Sequence, residues 1–257
     1  MNDELMCEMC GSNMVKKEGG FYICQACGTK FIAKDSQNDG NYQFNGDLDS
    51  QELENLYELA RRARENGDAE FGYQYYNEIL IKVPYDWEAQ FYVGYFRAFL
   101  VDFLDDNAID DFCRIIASAV SIVDNLEDVE EKKYAIQLFS SEIYGFVENY
   151  YQTYFEQAQY EHDYDGEYLA WYVNSLLELC NLLNYYGDLV ENLTDESYQD
   201  SLDSWKYSID LHINLYKFLS FFDKPEHDEY IDIYVEKIHQ YDPDYEKPKT
   251  KKLFGII

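Results

Sequence analysis

The chain has 257 residues, and its 51 Asp and Glu side chains outnumber its 20 Lys and Arg side chains, so the net charge at pH 7 is −31. Residues 1–34 hold as many lysines as acids, and residues 247–257 hold four lysines and no acid, so the body between them carries −35. Nucleic-acid affinity rests largely on neutralising phosphates with Lys and Arg. The charge therefore argues against nucleic-acid binding by the body.

Two Cys-x-x-Cys-Gly elements stand near the start of the chain, 13 residues apart. Two such pairs supply the four thiolates that a tetrahedral zinc ion takes in a structural site. A redox pair or a disulfide framework fits less well, because a redox Cys-x-x-Cys belongs to a βαβ context and no secretory signal precedes this one. We predict one Zn2+ bound by Cys7, Cys10, Cys24 and Cys27.

The residues around these pairs have the pattern of short strands. Met14–Lys17 and Phe21–Ile23 are strand-like, Glu18–Gly20 supplies the turn between them, and Thr29–Ile32 closes the sheet. About 35 residues bury too little apolar surface to fold alone, so the metal would supply the folding free energy. Residues 5–33 resemble the zinc ribbon of the transcription factor IIB type at all four cysteines. Such ribbons serve nucleic acid, protein partners or only their own fold.

A polar segment and two helices follow. Residues 35–50 have linker composition, and Ser50 is a good cap for a helix that ends at Asn66-Gly67. A second helix begins at Asp68 and closes at Pro84. The residues predicted to face inward are Leu53, Leu56, Leu59, Ala60 and Ala63 in the first helix and Phe71, Tyr75, Tyr76, Ile79 and Leu80 in the second.

This helix pair resembles one tetratricopeptide repeat. Leu59-Ala60, Gly72, Tyr76 and Pro84 occupy positions of that motif, and Val93-Gly94 repeats the dipeptide position 34 residues later. Two other positions depart from the motif. The resemblance implies one and a half helical-hairpin repeats, which the rest of the body must cap because three repeats are normally needed for stability.

The helical pattern continues to the end of the body. Helices are predicted over 107–126, 128–160, 167–193, 195–222 and 226–241. The predicted fold class is mainly α, with a small N-terminal zinc ribbon of β hairpins and an all-α body of helical hairpins that runs from a short solenoid into a bundle. The predicted domains are the ribbon (1–34), the linker (35–50), the body (51–246) and a basic, disordered tail (247–257).

The whole layout is similar to a bacterial family in which a transcription-factor-IIB-type zinc ribbon precedes a tetratricopeptide-repeat-like helical body. The similarity rests on the two cysteine pairs, on Leu59–Glu65 and on Pro84–Ala89, and it covers about the first 95 residues. It implies a zinc ion and a helical-repeat body, and it implies no particular activity.

One face of the first helix is the candidate partner-binding surface. Its residues recur at helical spacing beside the apolar stripe, and the matching positions of tetratricopeptide repeats line a concave surface. Two arginines framed by aromatic rings suit a peptide carboxylate or an acidic segment. Alternatively, the arginines pair with Glu58 and Glu65 on a solvated helix. The residues assigned to this surface are Tyr57, Arg61, Arg64, Phe91 and Tyr95.

The sequence contains no catalytic motif that we can identify. No phosphate-binding glycine loop occurs, and the four histidines stand in no nucleophile motif, so we expect no enzyme activity. We expect a zinc-binding interaction or scaffold protein with a protein or peptide partner. The alternatives are a regulator that meets nucleic acid or polymerase through the ribbon, and an acidic decoy that imitates a phosphate surface.

We expect no segment for membrane insertion or export in this sequence. Met1–Glu4 is acidic with no apolar run behind it, so we expect no signal peptide. No apolar run approaches the roughly 20 residues of a membrane span. We therefore expect a cytoplasmic protein.

Overall fold

The computed structural model describes seven segments of the chain, residues 13–18, 21–24, 30–31, 50–100, 108–160, 166–216 and 224–248. Eight helices hold most of these residues, which confirms the mainly helical expectation. They are α1 (Ser50–Glu65), α2 (Ala69–Lys82), α3 (Trp87–Leu100), α4 (Ala108–Asp124), α5 (Val129–Tyr160), α6 (Gly166–Val190), α7 (Tyr198–Leu215) and α8 (Lys224–His239). The chain divides into two compact units, unit 1 (Met1–Glu127) with α1–α4 and unit 2 (Asp128–Ile257) with α5–α8.

Three short strands precede the helices in unit 1. β1 (Val15–Glu18) pairs antiparallel with β2 (Phe21–Cys24), and β2 pairs antiparallel with β3 (Lys30–Phe31). β3 also contacts α2. The strands fall in the segments where the sequence pattern predicts them. The linker and Cys7, Cys10 and Cys27 lie outside the described residues, so the zinc ribbon stays a prediction.

The helix ends in unit 1 follow local sequence signals. α1 ends shortly before Gly67, whose φ of +67° lies in the left-handed region that favours glycine. Asp68 caps α2 by accepting a hydrogen bond from the Phe71 amide at 3.2 Å. Asp86 caps α3 in the same way, with the Ala89 amide at 2.7 Å. α1 and α2 therefore lie where the sequence predicts them.

Neighbouring helices of unit 1 run antiparallel and pack in chain order. Lys82 at the end of α2 pairs with Glu52 at the start of α1, at 2.9 Å. A Cβ atom on Gly72 would lie 2.5 Å from the Phe96 ring of α3. The small residue that the repeat pattern predicts at position 72 is therefore what lets α2 and α3 approach closely.

Two residues predicted to face inward lie on the surface instead. Leu59 is 37% exposed and Phe71 is 50% exposed. In α1 the buried stripe is narrower than the pattern suggests, and Leu59 lies at its edge. Phe71 lies about 140° around α2 from the buried Tyr76, because each residue of an α-helix advances by about 100°. It stacks on the neighbouring Tyr75 ring at 6.0 Å rather than entering the core.

In unit 2, α6 and α7 pack closely through small and polar residues. The Ser201 hydroxyl donates to the Gly187 carbonyl, and the Ser204 hydroxyl donates to the Leu183 carbonyl, both at 2.8 Å. The Trp205 side chain is fully buried against Gly187. These serines satisfy their hydroxyls on the neighbouring helix backbone, so polar residues occupy a core face without a desolvation penalty.

A chain of hydrogen bonds joins α5 to α6 and α7. Ser140 of α5 donates to Asp200 of α7 at 2.7 Å and lies 2.7 Å from the Tyr186 hydroxyl of α6. The Tyr186 hydroxyl donates to the Ile136 carbonyl at 3.0 Å. Burial raises the pKa of Asp200, and the hydrogen bond from Ser140 partly offsets this. The network fixes the register of three helices at one level of unit 2.

The last helix packs on α7 through Ile231 in its middle and Ile238 near its end, both of which are buried. Ile238 of α8 is buried in one apolar cluster with Trp205. Lys237 lies over the Trp205 ring at 5.3 Å and pairs with Asp188 at 2.5 Å. Lys247, predicted to open a disordered tail, pairs with two aspartates of α8. Residues 249–257 lie outside the described residues, so the disorder of the remaining tail stays a prediction.

Candidate functional site

The predicted surface lies where α1 meets the start of α3. The structure brings Tyr57, Arg61 and Arg64 together along one side of α1, and each of them contacts a residue of α3 or of its cap. The contacts advance in the same direction along both helices. α1 and α3 therefore run parallel, as equivalent helices of two successive hairpins do.

Arg61 is held by a buried carboxylate on α3. Its Nε and Nη2 atoms donate to the two oxygens of Glu88 at 2.9 and 2.5 Å, and the Tyr76 hydroxyl donates to the same carboxylate at 3.0 Å. Glu88 is buried, whereas about half of the Arg61 side chain is exposed. Such a two-pronged guanidinium–carboxylate contact fixes geometry as well as charge. Arg61 therefore compensates the charge of a buried acid.

Tyr57 reaches the cap of α3. Its hydroxyl donates to the Asp86 carboxylate, whose other oxygen accepts the Ala89 amide. Burial raises the pKa of Asp86 above its usual range, and the hydrogen bonds from Tyr57 and Ala89 partly offset this. Burial and the contact with Asp86 raise the pKa of Tyr57, so its hydroxyl stays protonated as the donor.

The other arginines have partners of their own. Arg64 donates to the Tyr92 hydroxyl at 2.8 Å and lies over the same ring at 5.2 Å. Arg62 pairs with Glu58 at 2.8 Å, one helical turn away and exposed. The alternative that the arginines pair with glutamates along the exposed side of their own helix thus applies to Arg62. Arg61 and Arg64 instead connect two hairpins.

The aromatic part of the predicted surface is wrong at Phe91. Its side chain is fully buried and stacks at 6.0 Å on Tyr95, which is half-buried. All residues from Trp87 to Gly94 are buried, because the neighbouring helices enclose the first half of α3. Phe91 therefore belongs to the core of unit 1 and cannot meet a partner on this surface.

What remains accessible is the outer face of α1. A shallow depression of about 510 Å³ lies along it. Its lining residues are Glu54, Tyr57, Glu58, Arg61, Arg62 and Glu65. They carry both signs of charge and stand around one exposed edge of a tyrosine. This outer face of α1 can offer hydrogen bonds and charge to another chain.

The sequence reasoning missed Glu88 and Asp86, which anchor the network. Glu88 stands directly between the apolar residues Trp87 and Ala89, and this local pattern is only a weak signal of a buried, paired carboxylate because Asp86 and Gln90 lie two residues to either side. Its partner could not be read from the sequence, because Arg61 lies 27 residues earlier.

The predicted zinc ligands are only partly described. Cys24 ends β2 and is fully buried, and Cys27 belongs to the connection between β2 and β3, outside the described residues. A thiol at the end of a hairpin strand fits the position of a metal knuckle. Within the segments that the structure describes, no three His, Cys, Asp or Glu side chains form a group able to hold a metal ion.

Cys180, the one fully buried thiol described in unit 2, is not reactive in this setting. Burial raises its pKa strongly, and its thiol donates to the Ser208 carbonyl at 3.7 Å. A thiol kept protonated is a poor nucleophile and a poor metal ligand. Cys180 therefore has a packing role.

Comparison with family models, with curated proteins and with solved structures found no significant match to this chain. Across the described segments, no helix combines the length and the apolar character that crossing a membrane requires.

Proposed function

We propose that this chain is a zinc-binding interaction protein whose helical body presents the outer face of α1 to a protein or peptide partner. The observation that carries this proposal is the fixed position of α1. Three side-chain links, from Tyr57, Arg61 and Arg64, hold it on the next hairpin, while the adjoining part of its outer face, with Glu54, Glu58 and Glu65, stays open. A rigid helix face loses little entropy on binding, which is the property a docking surface needs.

The charge of the body indicates which partners approach it fastest. Residues 35–246, which are the body and the linker before it, carry a net charge of −35, which attracts cationic chains and repels acidic ones over the range of the screening length. Arg61 and Arg64 are already engaged with Glu88 and Tyr92, so they no longer favour an acidic peptide. We therefore propose a basic partner, bound through the glutamates of the outer face and steered by the acidic body.

The test is capture of partners from native lysate by the full chain and by two matched variants. Glu54→Lys with Glu58→Lys changes the outer face of α1, and Glu70→Lys with Glu78→Lys makes the same change of charge on an exposed part of α2. Exposed substitutions of this kind change stability little. We expect a basic protein that the wild type and the α2 variant retain at low salt and that the α1 variant loses.

Two other outcomes would contradict this assignment. Equal capture by both variants would remove α1 from the interaction. A partner that still binds both lysine variants but no longer binds a Cys7→Ser, Cys10→Ser variant would place recognition on the ribbon. Polymerase or nucleic acid among such losses would favour the alternative regulatory function.

We propose that the cysteine pairs hold one structural zinc ion, which draws four thiolates from two turns into a closed site. Elemental analysis should find one zinc per chain, and Cys24→Ser with Cys27→Ser should lose it. Helical circular dichroism should remain close to the wild-type signal, because the eight helices lie after residue 49. Wild-type protein with no zinc and four freely titrating thiols would contradict the metal site.

A further inference from the structure

We propose that the stacked rings of Tyr198 and Tyr241, with the Glu191 carboxylate beside them, form a docking site for an arginine side chain of a basic partner protein. This site goes beyond the function proposed above, because it lies in unit 2 and does not depend on the outer face of α1. Its three residues come from distant points of the chain: Glu191 follows α6, Tyr198 begins α7 and Tyr241 follows α8.

The two tyrosine rings form an exposed stack. Their centroids lie 5.2 Å apart and their planes differ by 9°. Each tyrosine is 37% exposed, and Tyr241 also contacts the ring of the buried Trp205, with 6.4 Å between the centroids. Among the described residues, no further ring and no cation contacts Tyr198. The stack therefore ends on an accessible aromatic ring, and the face of such a ring attracts cations.

The carboxylate beside this stack has no counter-charge. The Tyr241 hydroxyl donates to Oε1 of Glu191 at 2.7 Å. In the part of the chain that the structure describes, no Lys or Arg pairs with Glu191, and no group donates to its Oε2. Glu196, two residues before Tyr198, differs because Lys133 pairs with it at 2.9 Å. Glu191 thus has one oxygen and its charge available to an incoming cation.

A neighbouring part of unit 2 holds a cation with the same two kinds of group. Lys237 lies over the Trp205 ring at 5.3 Å and pairs with Asp188 at 2.5 Å. Asp188 precedes Glu191 by three residues, and the Trp205 ring contacts the Tyr241 ring. The internal site combines a ring, a carboxylate and a lysine. The exposed site has the ring and the carboxylate, and a partner would supply the cation.

Arginine suits this site better than lysine. A planar guanidinium can stack on a tyrosine ring and also donate to a carboxylate, whereas an ammonium is a compact and strongly hydrated charge. The partner must be basic overall, because residues 35–246 carry a net charge of −35 and repel acidic chains.

Binding of a labelled peptide with three arginines spaced by glycines tests this inference. Fluorescence anisotropy with the full chain, at about 150 mM salt to screen the general attraction, gives the affinity. Glu191→Gln and Tyr198→Leu should each weaken binding about fivefold, the upper value for an exposed charge pair or cation–π contact. Glu191→Gln keeps an acceptor for the Tyr241 hydroxyl, so this variant should keep the fold even if Tyr198→Leu does not.

Two matched controls in unit 2 separate this site from general acidity and from general exposure of tyrosine. Glu148→Gln removes a carboxylate whose oxygens already accept from Tyr207 and Gln152, at 3.0 and 2.7 Å. Tyr134→Leu removes a ring of α5 that is 58% exposed. Each control should change the affinity less than about twofold, since exposed charges beyond the screening length contribute little.

A lysine version of the peptide tests the preference for arginine. It should bind the wild type about threefold more weakly than the arginine peptide, and Tyr198→Leu should bind the two peptides alike. Equal binding of both peptides by the wild type would overturn the arginine site. Equal weakening by Glu191→Gln and Glu148→Gln would overturn it as well.

Nuclear magnetic resonance of the full chain with labelled tyrosine rings locates the bound peptide. The signal that Tyr198→Leu removes identifies Tyr198, and we expect the largest shifts at Tyr198 and Tyr241. Larger shifts at Tyr57 would place the peptide on the outer face of α1. That result would overturn the site in unit 2 and leave the function proposed above intact.

Discussion

Replacing Arg61 with Met should lower the free energy of unfolding of unit 1 by about 3 kcal/mol, the lower end of the range for breaking a buried ion pair. The loss arises at Glu88 rather than at Arg61, because the carboxylate stays buried without its counter-charge while the arginine is half-exposed. Tyr76 continues to donate one hydrogen bond to it, which cannot replace a guanidinium. Unfolding in urea, monitored by hydrogen exchange of peptides from α1–α4, measures the change in the free energy of unfolding.

Two further variants identify the cause. Arg61→Met combined with Glu88→Gln removes both charges and keeps an acceptor for Tyr76, so it should recover all but about 1 kcal/mol. Arg62→Met is the matched control, since its exposed pair with Glu58 is worth only about 0.5 kcal/mol. Equal losses in the two single variants, or no recovery in the double variant, would contradict a buried charge pair at Glu88.

This network bears on the proposed docking surface. A partner that bound by displacing Arg61 from Glu88 would leave the buried Glu88 carboxylate without its counter-charge. Its binding free energy would be weakened by the same amount as the stability of the Arg61→Met variant. Binding across the outer face of α1 has no such cost, since Glu54 and Glu58 lie on the exposed side of the helix. The geometry thus favours a partner that adds to the network over one that breaks it.

The course of the helices could be read from local signals. Asp68 and Asp128 cap α2 and α5, Gly67 ends a turn with positive φ, and Pro225 lies in the first turn of α8. Each of these signals acts through a few residues that are neighbours in the chain. Helix ends of this kind can therefore be predicted from the sequence. In α5, Phe139 and Ile143 lie one helical turn apart and are fully buried, as expected for the apolar face of a helix.

The side chains that join different helices could not be read in the same way. A 3.6-residue period finds apolar faces, and it overlooks Glu88 and His212, whose burial depends on partners far along the chain. It also placed Phe91 on the surface, because α3 is enclosed on several sides and no amphipathic pattern distinguishes its outer face. Ser204 was missed for a related reason, since its hydroxyl is satisfied by a carbonyl of another helix.

Replacing Gly187 with Leu should lower the free energy of unfolding of unit 2 by about 3 kcal/mol. A Cβ atom at this position would lie 2.6 Å from Nε1 of the buried Trp205, which donates to Asp188 at 2.9 Å. The ring cannot move without losing that hydrogen bond and its contact with Lys237. α7 must then separate from α6, and the bond from Ser201 to the Gly187 carbonyl lengthens with it.

The same substitution at Gly145 distinguishes packing from helix propensity. Gly145 lies in α5 with nothing within 4 Å of an added Cβ atom, so Gly145→Leu should stabilise unit 2 by up to about 1 kcal/mol. Thermal and urea unfolding of both variants would give changes of opposite sign. If Gly187→Leu were as stable as Gly145→Leu, the close approach of α6 and α7 would be wrong. The serine contacts that depend on this approach would then be wrong as well.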